Sequence, residues 1–210
     1  MSIASYSELK SAIYKWLVKD STDPYFDSDM MDNIIFMAES ELNRRLRVRQ
    51  MRTTANVSIT ANDNTASLPA DFLQAYSVHL TSPVIEVQSA SEGYFTRSGL
   101  YETVAIPQFF FVRADEIVFG PIPASDYTAI VEYYKKITGL SSSQTTNDIL
   151  TAFPDLYLFM CLKHAYIAGQ DVEREAVYEQ RIMAIINNVN TMDKNASISK
   201  GARGVSRKIG

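Results

Sequence analysis

The chain has 210 residues, 46% hydrophobic and 21% charged, with a formal charge of −4, which is the balance of an ordinary globular protein and room for one well-filled domain with a modest insertion. No run of eighteen apolar residues is present, so no transmembrane helix is expected, and Met1-Ser2-Ile3-Ala4-Ser5-Tyr6 lacks the basic and apolar regions of a secretory signal. The single cysteine, Cys161, excludes an internal disulfide and a cysteine zinc site and points to a reducing cytoplasm.

A first helix is expected from Ser5-Tyr6-Ser7-Glu8, a capping-box pattern, with Leu9, Ala12, Ile13, Trp16 and Leu17 as its apolar stripe. Asp23-Pro24 breaks it. A second helix is predicted from near Ser28 to about Met51, burying Ile34, Ile35, Ala38, Leu42 and Leu46. Asp29 and Asp32 in its first turns, and Arg44, Arg45, Arg47 and Arg49 in its last, suit the helix macrodipole.

The period then changes to two. Asn56 to Thr60 reads as a strand with one wet face, Asn62-Asp63-Asn64 as a turn, and Thr65 to Leu68 as the returning hairpin partner. Tyr76 to Leu80 is another strand, and Ser89 to Arg97 a short helix closed by Gly99. Phe109 to Val112 and Ile117 to Phe119 flank Arg113-Ala114-Asp115-Glu116, the length of a hairpin turn, and Tyr127 to Ile137 forms a long strand. After the polar loop 141–147, helix returns at Phe153-Pro154-Asp155 and runs to Gly169. Asp171 caps a last helix carrying Ala176, Val177, Ile182, Ile185, Ile186 and Val189.

The order of elements predicts an α+β fold: a helical bundle from N- and C-terminal helices with an inserted antiparallel β domain and an extended C-terminal tail. The divisions are 1–52 for the N-terminal helices, 53–147 for the β-rich insertion, 148–190 for the C-terminal helices and 191–210 for the basic tail.

The residues offer little chemistry. The eight glycines form neither a phosphate-binding loop nor a dinucleotide fingerprint, and no nucleophile elbow is present. Cys161 and His164 share a helical face, so a Cys–His nucleophile pair is conceivable, but a lone cysteine is commonly a buried hydrophobe. His79 falls in a strand. The scattered acids, Asp126, Asp148, Asp155 and Asp171, suffice as caps and turns. No metal, cofactor or catalytic residue is expected. Arg45, Arg49 and Arg52 share one face at i, i+4 and i+7 and read either as a partner- or DNA-facing patch or as a solvated helix end paired with Glu39 and Glu41. Of the twelve tyrosines, Tyr133, Tyr134, Tyr157, Tyr166 and Tyr178 are expected at the core or its edge, with interface anchoring as the other reading.

Charge is uneven. Five cations and one acid give residues 191–210 a charge of +4, which leaves −8 on the other 190 residues. The segment 195–210 is too small and polar to fold alone. It is either a solubilising terminus or an arm that orders on a partner, and Val205 and Ile209 favour the arm because a solubiliser needs no apolar anchors. Fully extended, the last twenty residues reach about 65 Å.

Several separated segments carry a resemblance: Leu68-Pro69-Ala70-Asp71-Phe72 with Val78-His79-Leu80; Ile117-Val118-Phe119-Gly120-Pro121-Ile122-Pro123 with Tyr127 to Tyr134; Leu150 to Tyr157; and Asp171 to Tyr178. In order and spacing the chain resembles the head-to-tail adaptor (connector) proteins of short-tailed bacteriophages over most of residues 5–190. The resemblance implies a non-enzymatic virion protein, assembled in the host cytoplasm into a homo-oligomeric ring of about twelve copies. Portal protein would lie above, tail nozzle or fibre proteins below, and double-stranded DNA would pass the lumen without being read. No membrane is involved. It also implies portal docking through the tail, with Lys194, Lys200, Arg203, Val205, Arg207, Lys208 and Ile209 as its contacts. Another tail ring protein, a completion or terminator protein, is the alternative, and a Cys/His hydrolase a third reading.

Overall fold

The structure is a computed structural model that describes residues 3–19 and 23–201, with side chains through Asp193. Its elements are helices α1 (Tyr6–Leu17) and α2 (Ser28–Arg45), a 3-10 turn (Arg49–Met51), strands β1 (Arg52–Ile59), β2 (Thr65–Ser67), β3 (Phe72–Thr81), β4 (Val84–Glu86) and β5 (Gln88–Ser89), and helix α3 (Glu92–Arg97). Strands β6 (Val104–Ala105), β7 (Phe109–Arg113), β8 (Glu116–Gly120), β9 (Ile122–Pro123) and β10 (Tyr127–Lys135) follow, then helices α4 (Asp148–Ala152), α5 (Pro154–Ala168) and α6 (Val172–Gly201). The described residues within Met1–Met51 and Ile137–Gly210 form one compact unit, and Arg52–Lys136 a second. No helix among the described residues is long and apolar enough to cross a membrane.

The helical unit is built around α5. Leu156, Tyr157, Leu158, Met160, Cys161, Leu162, Lys163, Ala165 and Tyr166 are all buried, so this helix is covered on every side rather than along one stripe. Helices α1, α2 and α6 supply the cover. Side chains cap the starts of α1, α2 and α6, while α5 opens on Pro154 with no side-chain cap. Ser5 Oγ accepts from the Glu8 amide at 3.3 Å, Asp27 from Met30 at 2.8 Å, and Asp171 from Arg174 at 3.0 Å. Glu8 reaches back to the Ala4 amide at 2.7 Å, one residue earlier than a standard capping box.

Helix α2 stops at Arg45, six residues short of the expected Met51. Leu46 is extended (φ −101°, ψ 132°), which lets Leu46 and Val48, two residues apart, both enter the core with no exposure. Arg47 donates to the Asn43 and Leu46 carbonyls at 2.7 and 2.6 Å and so occupies the freed helix end. Ile137 and Leu140, grouped with the β insertion in the sequence reading, pack in the helical unit, where their amides donate to Asn43 Oδ1 and Glu39 Oε1 at 2.8 Å each.

The C-terminal boundary moves too. The expected extended tail begins at residue 191, but α6 continues through Gly201. Residues 190–200 contain no proline or glycine to stop the helix. Asp193 also anchors it by accepting from the Arg49 amide at 3.1 Å and lying 3.7 Å from its guanidinium. Arg203, Val205, Arg207, Lys208 and Ile209 lie outside the described residues.

The β unit has two main sheets, ordered β1-β10-β3-β4 and β2-β8-β7-β5, with the small pair β6-β9. The expected hairpin between β1 and β2 does not form. β1 pairs along its whole length with β10, from Arg52↔Tyr134 to Ile59↔Tyr127, while β2 pairs with β8. The turn at Asn62, which has a left-handed φ of 62°, carries the chain from one sheet to the other. Asp63 holds that turn by accepting from the Thr65 amide at 3.0 Å. The unit is also not wholly antiparallel, because β5 joins β7 and β6 joins β9 in parallel. The β5-to-β7 crossover contains α3, the kind of long connection that parallel pairing needs.

Two cores account for the aromatic run. Val57, Ile59, Val78, Leu80, Ala129, Val131 and Tyr133 of the first sheet meet Phe110, Ile117 and Phe119 of the second. Adjacent strand residues point to opposite faces, so Phe111 and Val118 face the other way and pack with Phe95 and Leu100 at α3. The second sheet is thus covered on both faces, and its strands read as continuous apolar runs. Gly120 lies against this second core. An added Cβ would stand 2.5 Å from Phe95 Cε1 and 3.1 Å from Leu100 Cβ. Gly120→Ala is expected to destabilise the protein by about 1–3 kcal/mol through overpacking, read as a fall in the urea midpoint with unchanged slope.

Candidate interaction surfaces

The residues with chemical potential are mostly engaged with one another. Glu41 on α2 is 8% exposed. It accepts from Lys163 Nζ at 2.8 Å, Arg45 Nη1 at 2.6 Å and His164 Nε2 at 2.9 Å. Glu179 on α6 closes the cluster, 2.8 Å from Lys163 and 2.9 Å from Arg45. Two carboxylates and two permanent cations balance, with His164 as a fifth member. A carboxylate can only accept, so His164 carries its proton on Nε2. Burial raises the Glu41 carboxyl, but the hydrogen bonds from Lys163 and Arg45, with the nearby charges, outweigh it and hold the group at about 2. Burial holds His164 below the usual imidazole range, and the attraction of Glu41 does not overcome it.

A second buried network sits nearby. Tyr157 donates to Glu39 Oε1 at 2.5 Å, and Asn147 donates to the Tyr157 hydroxyl at 3.1 Å and caps α4 by accepting from the Leu150 amide at 2.8 Å. Burial raises the Glu39 carboxyl despite these donors, and burial together with Glu39 raises the Tyr157 phenol.

Cys161 is fully buried, and burial pushes its thiol far above the usual range. His164 turns to Glu41. The Cys–His pair therefore has no thiolate to offer, and among the described residues no cluster of three metal-ligating side chains exists. Thiol labelling of the folded chain is expected to proceed at least about a hundredfold more slowly than in urea, limited by opening of the helical unit. Fast labelling of the native protein would refute the buried assignment.

The arginine patch resolves into separate roles. With α2 ending at Arg45, the residues Arg45, Arg49 and Arg52 do not share a helical face. Arg45 bridges Glu41 and Glu179; the expected pairing with Glu41 forms, whereas Glu39 turns to Tyr157. Arg49 is two-thirds exposed and meets Asp193. Arg52 opens β1, lies 2.5 Å from Glu132 and stacks 3.4 Å over the Tyr76 ring. Tyr133, Tyr157, Tyr166 and Tyr178 are buried.

Several large apolar side chains are exposed. On the helical unit Trp16, Phe36, Met37, Val177 and Met183 are 46, 64, 49, 48 and 54% exposed. Trp16, Pro154, Leu158 and Phe159 also line an open groove of about 470 Å³. On the β unit Val84 is 83% and Tyr76 49% exposed. Trp16 is exposed although it belongs to the expected apolar stripe of α1, and Phe36 is not among the expected buried residues of α2. Helical periodicity carries that signal: Phe36 lies opposite Ile34, Ile35, Ala38 and Leu42.

Large exposed apolar side chains beside these buried networks mark surfaces suited to contact with other protein chains. The SU10 adaptor protein model matches residues 4–205. The chain belongs to that family, and is a bacteriophage adaptor, a structural component of the virion. No curated protein matches it.

Acid is expected to weaken the helical unit. Glu41 titrates at about 2 in the fold against 4.5 unperturbed, so its contribution, about 3 kcal/mol by linkage, is full above about 4.5 and is lost as pH falls toward 2. The depressed His164 acts in the same direction, starting below its ordinary 6.5, because the unfolded chain takes up that proton more readily. The raised Glu39 offsets part of the loss. Urea midpoints measured from about pH 7 to 3 should fall throughout. His164→Gln should flatten the upper part of the curve and leave the lower part.

Proposed function

We propose that the chain forms a ring of about twelve copies that joins the portal to the tail, with its C-terminal segment as the portal-docking arm. Membership of the adaptor family over residues 4–205 carries this reading. The contacts assigned to the arm are Lys194, Lys200, Arg203, Val205, Arg207, Lys208 and Ile209, a cationic sequence with two apolar anchors on an otherwise acidic chain. Exposed ion pairs contribute only about 0.2–1 kcal/mol each. The hold therefore comes from the apolar anchors and from repetition around the ring, where each further contact forms at high effective concentration.

The ring lumen passes double-stranded DNA without sequence preference. Arg45 and Arg52 are matched by carboxylates, and the chain outside residues 191–210 is acidic. Both features disfavour a phosphate grip, which suits a conduit. Arg49 is the exposed member of the trio and the one suited to an interface or lumen role.

Pull-down by portal of the same phage tests the arm. The full chain should be retained, and the chain ending at residue 190 should lose retention at least about tenfold, a loss of roughly 1.4 kcal/mol per contact set. Equal retention would take the segment out of the docking mechanism. Electron microscopy of the portal-bound material should show a closed ring.

A further inference from the structure

Two exposed faces of the helical unit are unlike each other and complementary. On α2, Asp29, Asp32, Asn33, Phe36 and Met37 recur at three, four, seven and eight residues and are all exposed, opposite the buried Met31, Ile34, Ile35 and Ala38. On α6, Arg174, Val177, Arg181 and Ala184 recur at three, seven and ten residues and are exposed, flanked by the buried Tyr178 and turned away from the buried Ile182 and Ile186. The first face is acidic around an aromatic ring and a thioether. The second carries Arg174 and Arg181 against Glu173, a net positive charge around small aliphatic groups.

The two guanidiniums are already oriented. Arg174 lies 5.6 Å from the Tyr166 ring centre and 3.5 Å from Asp171 of its own chain, and Arg181 lies 5.8 and 5.9 Å from the ring centres of Phe159 and Tyr178. A planar guanidinium laid on a ring loses less freedom on meeting a carboxylate. Beyond Arg181, residues 182–192 carry no charge, so α6 presents Met183, Ala184, Asn187 and Asn188 as a charge-free continuation. Charge depletion and methionine mark the centre of an interface rather than a solvated helix face.

We infer that the α2 face of one copy packs on the α6 face of a second copy. The occupant is a second copy because both halves of the match lie on the same chain, and because two different faces give a head-to-tail contact that can be repeated. The inference rests on the ring reading and names the surfaces that would make its subunit contact. Asp29 opposes the guanidiniums, and Asp32, shared with Lys10 at 2.8 Å within its own chain, adds to the same field. Phe36 and Met37 cover Val177 and Ala184. The stretch from Asp29 to Met37 is only about 12 Å long, far below the roughly 800 Å² per partner of a stable pair. The contact is therefore weak between two free copies and holds when closure of a ring repeats it.

Disulfide trapping reads such a contact even when it is weak, and the buried Cys161 leaves the native thiol silent. Full-length Phe36→Cys and Val177→Cys variants are oxidised mildly, alone and mixed in equal amounts, with and without portal. Both should keep the wild-type urea midpoint, since both positions are exposed. The expected result is a cross-linked dimer several-fold more abundant in the mixture than in either variant alone, and a ladder of higher species when both changes share one chain. In that doubly changed background Asp29→Arg or Arg181→Glu should each weaken the ladder, and the two together should restore it. Self-cross-linking of either single variant as strong as in the mixture would overturn the pairing. Rings formed with portal but without the mixed cross-link would overturn it too, and would leave the ring reading standing. Absence of both rings and cross-links would remove both.

Discussion

Glu41 and Lys163 meet at 2.8 Å inside the helical unit, and the arrangement of α2, α5 and α6 is tied to that pair. A lysine on the most buried helix of the unit has to find anions, because an uncompensated buried charge costs several kcal/mol. It finds one on α2 and one on α6, Glu179, at the same distance. Arg45 then reaches both carboxylates and completes the neutral cluster. Apolar packing alone would let these helices slide along or rotate about one another at modest cost. A cluster in which every carboxylate has named donors has one arrangement. The exposed faces of α2 and α6 are the far sides of helices whose inner sides are pinned in this way, so their orientation follows from it.

The same cluster takes up the histidine that the sequence places beside Cys161. His164 has the spacing of a base beside Cys161, but its ring is spent on Glu41, and the thiol is fully buried. Polar residues in this interior serve to specify structure. Tyr157, Asn147 and Glu39 do likewise, tying α2 to the loop before α4 and to the start of that helix. An adaptor has to present stable surfaces to other chains, and hydrogen-bonded buried networks of this kind serve that end.

The β unit is organised by layering. Sheet β2-β8-β7-β5 lies between sheet β1-β10-β3-β4 on one face and the α3 region on the other, which consumes all the aromatic residues from Phe109 to Phe111 and leaves no room for a side chain at Gly120. Its outer sheet face is polar and locally neutral: Arg52, Glu132, Ser77 and Tyr76 bond or stack together.

Local rules fixed much of this in advance. Caps, breakers and period placed α1, the start of α2, the short helix closed by Gly99 (φ +65°), the β7–β8 turn and the start of α5, because each depends on residues within one or two turns of the chain. The alternation of helical and strand periods set the α+β class for the same reason. Long-range competition decided the rest. β1 found β10 rather than β2 because burial of Val57 and Ile59 was best met across the sheet and not across the nearest turn. α2 ended at Arg45 because Leu46 and Val48 both gained burial from extended backbone, and that broke up the expected arginine face. α6 ran past residue 190 because nothing local stopped it and Asp193 met Arg49, 144 residues away. Sequence alone determines which segments are helical or extended and where charge accumulates, since those follow from neighbours. Only the tertiary structure determines which strand pairs with which, which acids neutralise which cations and which apolar side chains stay in water, since those depend on residues far apart in the chain.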